Sequence, residues 1–418
     1  MPPHAEQPHV AQSLCQEPAR NPGFLAKSTG PVIASWFPPR TGANIRVSSC
    51  GKILGAVRCM SKTPLLMPMV LGGAHAIVDA STVTAIFRST HLGLGPEAAW
   101  GIVLGYDVVA FGSQALLGWL TDRFASPHLA TLSGLALTAL SLVYCSGQLV
   151  PTLVCASIGN ALFHLGAGAD VLRGGTERCA PAGVFVAPGA IGLAFGLYYG
   201  AARGPTWPLL LLALSAFVGL SRCRFNEIQG GVAIAKIPPL STRTTHLAIG
   251  LILVSIMIRS LVGMSAARGY PRSELLLFGI PGAAFLGKSL GGFVADRLGW
   301  VETSVITLLV SIPLIASAPP VLALLLGLFF FQMTMPVTLT AVARLLPHRL
   351  ATAFGFTCLA LILGALPAML PIGGPLCERW LLSIWILAST LCVFFGLRLL
   401  GVERRRNLLP AFSSQWGL

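Results

Sequence analysis

From Leu66 onward the chain alternates long apolar runs with short polar breaks. The runs are long enough to cross a hydrocarbon layer of about 30 Å as helices, and they lack the period-two alternation of strands. The pattern predicts helices at about 66–87, 99–120, 129–146, 149–168, 182–201 and 206–221, then at 246–264, 275–295, 301–317, 320–341, 351–370 and 380–400. A polar stretch separates the two sets. The expected architecture is therefore a six-helix half over 66–222, a linker over 223–245, a second six-helix half over 246–400 and a tail over 401–418. Residues 1–60 have no apolar period and read as a disordered N-terminal tail, with Met60 as an alternative start just before the first span.

Composition agrees with a membrane setting: of 418 residues, 54% are hydrophobic and only 10% charged. The net charge of +14 would suit a nucleic-acid partner, but the basic residues sit in loops on one side of the predicted bundle. Arg123, Arg173, Arg178, Arg222, Arg224, Lys236, Arg243, Arg297, Arg344, Arg349, Arg398 and the Arg404–Arg406 run share that side. Arg88, Arg203, Arg268, Arg272 and Arg379 occupy the other. The asymmetry predicts a cell-membrane protein with both termini cytoplasmic and no nucleic-acid partner. Ten cysteines show no Cys-x-x-Cys spacing, and Cys145, Cys155, Cys358 and Cys392 fall inside apolar runs, so no metal or cofactor is expected.

One signature occurs twice. Gln114-Ala-Leu-Leu-Gly-Trp-Leu-Thr-Asp-Arg-Phe124 and Gly287-Lys-Ser-Leu-Gly-Gly-Phe-Val-Ala-Asp-Arg-Leu-Gly299 each close the second span of their half. An aspartate at a helix C-terminus lies at the negative end of its own dipole, so it is expected to serve another helix, for instance as an N-cap or as partner to an arginine. Gly118, Asp122 and Arg123, repeated as Gly292, Asp296 and Arg297, resemble the Gly-x-x-x-Asp-Arg loops of the major facilitator superfamily. The basic residues that usually follow are replaced by Ala125-Ser-Pro127 and Trp300-Val-Glu302. The resemblance covers about 66–400 and implies an all-α membrane protein of twelve transmembrane helices in two pseudo-symmetric halves. It also implies that the signature residues gate the cytoplasmic side.

Polar residues within the apolar runs mark a cavity, because ionisable groups in a bilayer are costly and turn inward. Span 1 holds His75 and Asp79, and span 4 holds Asn160 and His164, each pair one turn apart on one face. Span 7 holds Arg259; span 10 holds Gln332 and Thr334; Asp107 and Lys288 lie in spans 2 and 8. Asp79, Asn160, Arg259 and Gln332 all sit roughly 17–20 Å along their helices, near mid-membrane. In the superfamily that the chain resembles, spans 1, 4, 7 and 10 line the central cavity. Gly73-Ala-His-Ala-Ile-Val-Asp79, Asn160-Ala-Leu-Phe-His164 and Ile258-Arg-Ser260 further resemble its fosmidomycin-resistance-type branch, although the usual Phe-His-Pro-Glu reads Phe163-His-Leu-Gly166.

These features predict a monomeric secondary transporter that moves a small organic solute through the lipid bilayer by alternating access, as proton-coupled efflux. Asp79 is the expected proton carrier, Arg259 its expected partner in one state, and Asp107–Lys288 a second candidate pair. No Walker A pattern follows a strand, which argues against ATP drive. A membrane-embedded enzyme built on the histidines lacks a nucleophile elbow or His-Glu-x-x-His. A transport-inactive sensor on the same scaffold is the remaining alternative; it would bind solute and move none.

Overall fold

The computed structural model describes residues 65–90, 95–124, 126–223, 240–271, 273–317 and 320–401, without the side chains of 371–373. The N-terminal tail, most of the linker and the tail beyond residue 401 lie outside the described residues, as do Arg224, Lys236, Arg272 and Arg404–Arg406. Twelve helical spans follow: α1 Leu66–Ser89, α2 Pro96–Arg123, α3 Pro127–Tyr144, α4 Leu149–Arg173, α5 Ala180–Ala201, α6 Trp207–Ser221, α7 Thr242–Ser265, α8 Glu274–Leu298, α9 Trp300–Ala316, α10 Val321–Leu345, α11 Leu350–Met369 and α12 Arg379–Leu399. Ten are long and apolar enough to cross a membrane; α6 and α9 are shorter apolar helices. The chain is a multi-pass, all-helical membrane protein. Starts are set by local chemistry: proline opens α2 and α3, while the Ser241 and Ser273 hydroxyls accept from the amides of Thr244 and Leu276 to cap α7 and α8.

Two spans are interrupted. In α2 the helix breaks at Ser113, between Pro96–Gly112 and Gln114–Arg123. In α10 it breaks at Met333–Thr334, between Val321–Gln332 and Met335–Leu345. Pro336 explains the second break: it has no amide hydrogen for the Gln332 carbonyl, and its ring crowds that turn.

Helices are drawn together where side chains vanish. Gly192, Gly196 and Gly200, spaced by four, form a small face of α5, and it lies on α1: added methyl groups would strike Ala76, Ala80 and Phe87 or Thr84. The faces turned to lipid carry exposed apolar side chains such as Leu116, Leu211, Leu322 and Phe395. Away from the signature loops, arginines close the bundle by donating to loose carbonyls. Arg88 reaches Arg203 and Gly204, at 3.0 and 2.8 Å, and Arg379 reaches Arg268 at 2.9 Å.

Gly192→Leu tests the α1–α5 seam. Forcing a branched side chain against the Ala76 backbone should cost about 1–3 kcal/mol or more, measured as a lower melting temperature in detergent. An unchanged transition would mean that the seam yields and does not fix the site.

Candidate functional site

Two assemblies depend on contacts between spans: a polar cluster inside the N-terminal half and a pair of latches between the halves. The cluster begins on α1. His75 and Asp79 lie one turn apart, and His75 Nε2 is 3.1 Å from Asp79 Oδ2. From α4, Asn160 Nδ2 donates to Asp79 Oδ1 at 3.0 Å, and His164 Nε2 lies 3.7 Å from the same oxygen. His75 and His164 meet through their Nε2 atoms at 2.7 Å. Asp79 keeps 16% side-chain exposure, whereas His75, Asn160 and His164 are buried. The cluster sits against Gly189 of α5, where a methyl group would collide with His75 Nε2 and come within 2.6 Å of Asp79 Oδ2. Nearby, Tyr106 of α2 shares a 3.0 Å hydrogen bond with Thr82 of α1.

The protonation of the two imidazoles follows from their other nitrogens. His75 Nδ1 is 3.0 Å from the Phe185 carbonyl and His164 Nδ1 is 2.8 Å from the Asn160 carbonyl. A carbonyl only accepts, so each Nδ1 carries the hydrogen. In the neutral rings both Nε2 atoms then present lone pairs, facing each other and a carboxylate. Three lone pairs converging in a buried place repel one another unless a cation lies between them.

His75, Asp79 and His164 bring their donor atoms within 4.8 Å of one another, a set able to take a metal ion. Two ligands of a tetrahedral site with bonds of 2.0–2.1 Å stand about 3.3 Å apart. The Nε2–Nε2 distance of 2.7 Å is shorter and matches a hydrogen bond through one shared proton.

The other expected cavity residues distribute differently. Arg259 is 7% exposed, donates to Thr338 Oγ1 at 3.3 Å and lies 5.7 Å over the Phe331 ring. It forms no ion pair with Asp79, whose oxygens are already engaged by His75 and Asn160. Asp107 and Lys288 form no ion pair either, because the Lys288 ammonium sits within electrostatic reach of Asp79, His164 and Arg259 instead. Gln332 packs against Gly287 of α8, and Thr334 is buried at the α10 break, bonded to the Phe331 carbonyl at 3.1 Å. Thr338, Thr82 and Gly189 were not legible as site residues. The threonines read as ordinary hydroxyls, and a glycine carries no chemical signal of its own.

The signature residues build the latches. Asp122 accepts from the amides of Ala351 and Thr352, at 3.1 and 2.7 Å, and from the Thr352 hydroxyl at 2.7 Å, capping α11. Asp296 accepts from the amides of Cys179 and Ala180, at 2.7 and 3.0 Å, capping α5. Each aspartate therefore leaves the wrong end of its own helix for the positive end of a helix in the other half, as its placement implied. Gly118 and Gly292 permit the approach: a methyl group at either would lie 2.5–2.6 Å from the carbonyl oxygen of Ala351 or Cys179. Arg123 is exposed and makes no hydrogen bond or ion pair among the described residues; the same holds for Arg297. Behind the latches, Gly168 of α4 presses on the Phe354 ring of α11, and Gly183 of α5 on the Lys288 carbonyl of α8.

No family profile matches the sequence, and no curated protein matches it. Solved structures do. The chain is similar to a major facilitator superfamily transporter, FucP, in the outward conformation: TM-score 0.58, 14% identity, 81% of this chain and 99% of that one. The human organic anion transporter MFSD10 gives 0.57 at 15% identity, over 80% and 99%. A bacterial homologue of the iron transporter ferroportin, outward-facing, gives 0.54 at 13% identity, over 82% and 98%. The fold is that of the major facilitator superfamily. Within this fold the two capped helix ends are symmetry-related, and both latches are closed on the same face of the bundle.

Removing a latch tests its role. Each part-buried cap stabilises by about 1–2 kcal/mol, so Asp122→Ala or Gly118→Val should shift the conformational balance roughly 5–30-fold toward the open latch. Cysteine accessibility near Thr352 should rise while equilibrium solute binding changes little. A fall in binding as steep as the fall in flux would place these residues in the binding site instead.

Proposed function

We propose that the protein is a secondary transporter that carries a small organic solute across the cell membrane by alternating access, driven by protons and acting in efflux. The carrying observation is the His75–Asp79–His164 cluster, which has geometric room for one cation among three lone pairs beside the seam between halves. A proton there satisfies both imidazoles and the carboxylate; its loss leaves repulsion that only a rearrangement relieves. The groups facing Asp79 are His75 on its own helix, Tyr106 of α2, Asn160 and His164 of α4, Cys358 of α11 and Lys288 of α8. Of these, the two histidines are the neutral bases whose Nε2 lone pairs face the carboxylate, so they are the groups that can share an incoming proton.

The latches supply the conformational part of this reading. They are worth only a few hydrogen bonds each, so a proton or a solute bound between the halves can outweigh them. Neighbours of the same fold that are named as transporters make flux the first property to measure. The expected orientation, with both termini and the latches on the cytoplasmic side, rests on the distribution of Lys and Arg. The resemblance to the fosmidomycin-resistance-type branch rests on the residues of the cluster itself.

Flux in proteoliposomes under an imposed pH gradient tests the coupling. Asp79→Asn should abolish gradient-driven accumulation and keep downhill exchange, and His164→Gln should weaken accumulation at least tenfold. If Asp79→Asn still concentrates solute with the wild-type pH profile, the cluster does not carry the proton.

A further inference from the structure

The second half of the bundle contains two cations that form no ion pair among the described residues. Arg259 is 93% buried by the complement of its 7% exposure, within a helix of apolar neighbours. Of the five N–H donors of its guanidinium, one is engaged, by the Thr338 hydroxyl at 3.3 Å, and Nε has no partner. The Phe331 ring at 5.7 Å holds the group from one side and supplies no counter-charge. Lys288, half-buried on α8, makes no hydrogen bond or ion pair among the described residues. The two cations are close enough to repel each other, and Lys288 is also within reach of Asp79 and His164.

The one nearby carboxylate does not answer this charge. Asp79 Oδ1 accepts from Asn160 Nδ2, and Oδ2 lies 3.1 Å from His75 Nε2. A buried charge without a partner is expensive, by several kcal/mol per ion even after relaxation. A guanidinium with free parallel donors beside an ammonium is also the arrangement that receives an oxyanion: the fork takes two oxygens and the ammonium takes charge without a fixed direction.

We propose that Arg259 and Lys288 form the head-group site for an anionic solute, an organic molecule bearing a carboxylate or phosphate group. This rests on the transporter reading above and supplies its substrate class. Arg259 grips the oxyanion from α7, Phe331 and Thr338 fix the guanidinium, and Lys288 approaches from α8. The remainder of the solute extends toward the cluster of the other half, where Asn160 has a buried, unpartnered Oδ1. Cation and anion are thereby divided between the halves: the proton belongs to α1 and α4, the anion to α7 and α8.

Equilibrium binding to the purified full-length protein tests this without any gradient, so a failure of proton coupling leaves the result interpretable. Succinate and phenyl phosphate are the anionic probes, with succinamide and choline as neutral and cationic controls. Tryptophan fluorescence and melting temperature should report saturable binding of at least one anion and of neither control. Lys288→Met should weaken that binding more than tenfold. Arg259→Lys, which keeps the charge and loses the fork, should weaken the planar carboxylate more than the phosphate. Ligand-free Lys288→Met should melt no lower than wild type, because it removes an unsatisfied charge. Binding of succinamide equal to that of succinate overturns the proposal. So does anion binding unchanged in both variants, absence of binding by either anion to folded protein, or a clear loss of stability in ligand-free Lys288→Met.

Discussion

A carboxylate largely enclosed within an apolar helix bundle is costly unless other groups solvate it, and the arrangement around Asp79 answers that constraint. Its first oxygen takes an amide hydrogen from Asn160 and its second lies 3.1 Å from a histidine whose other nitrogen is fixed by a backbone carbonyl. Three helices are recruited for this purpose. α1 supplies the acid and one imidazole, α4 the amide and the second imidazole, and α5 a carbonyl and the bare backbone of Gly189. The tight glycine face between α1 and α5 has the same origin, since the Phe185 carbonyl reaches His75 only if the two backbones nearly touch. Packing and electrostatics are one problem here: loosen the seam, and the carboxylate loses its solvation.

The latches apply the same logic at a helix end. Orphan amides at the start of α5 and α11 need acceptors, and in this fold they receive them from the opposite half rather than from their own sequence. α5 and α11 have no side-chain N-cap of their own. A local serine or aspartate cap would satisfy these amides in every conformation. An aspartate borrowed across the seam satisfies them in one conformation only, which converts an ordinary capping energy of about 1 kcal/mol into a term that distinguishes states. The closeness of Gly118 to Ala351 and of Gly292 to Cys179 is what makes the loan geometrically possible.

The sequence was most informative where one residue type has few reasons to be present. Spans follow from apolar length alone, and the observed limits lie within a few residues of those expected, α6 and α9 being the short ones in both readings. An aspartate at the wrong helix end signalled a partner elsewhere, and His75, Asp79, Asn160 and His164 were legible as polar groups in lipid. What hid was contextual. Gly189 matters because two side chains occupy the space its missing Cβ leaves, and Phe185 contributes a main-chain oxygen that any residue would carry. Thr338 looked like one hydroxyl among many. The Asp79–Arg259 pair expected in one state and the Asp107–Lys288 pair are both absent from this conformation for a related reason: depth along a helix is legible in a sequence, but azimuth and neighbours are not. At equal depth a neutral amide and an imidazole reached the acid first.

That Asp79 is held by Asn160 and histidines rather than by Arg259 has a mechanical consequence. Breaking a buried ion pair by withdrawing one partner costs about 3–5 kcal/mol, and a carrier that rocks its halves apart through such a pair would meet that barrier in every cycle. Hydrogen bonds within the N-terminal half travel with it as a rigid group, so rocking leaves them intact. Arg259 and Lys288 likewise stay within the C-terminal half. On the alternating-access reading proposed above, closure around an empty site buries uncompensated positive charge, whereas closure around an oxyanion does not, so an oxyanion between the halves lowers the cost of closing them.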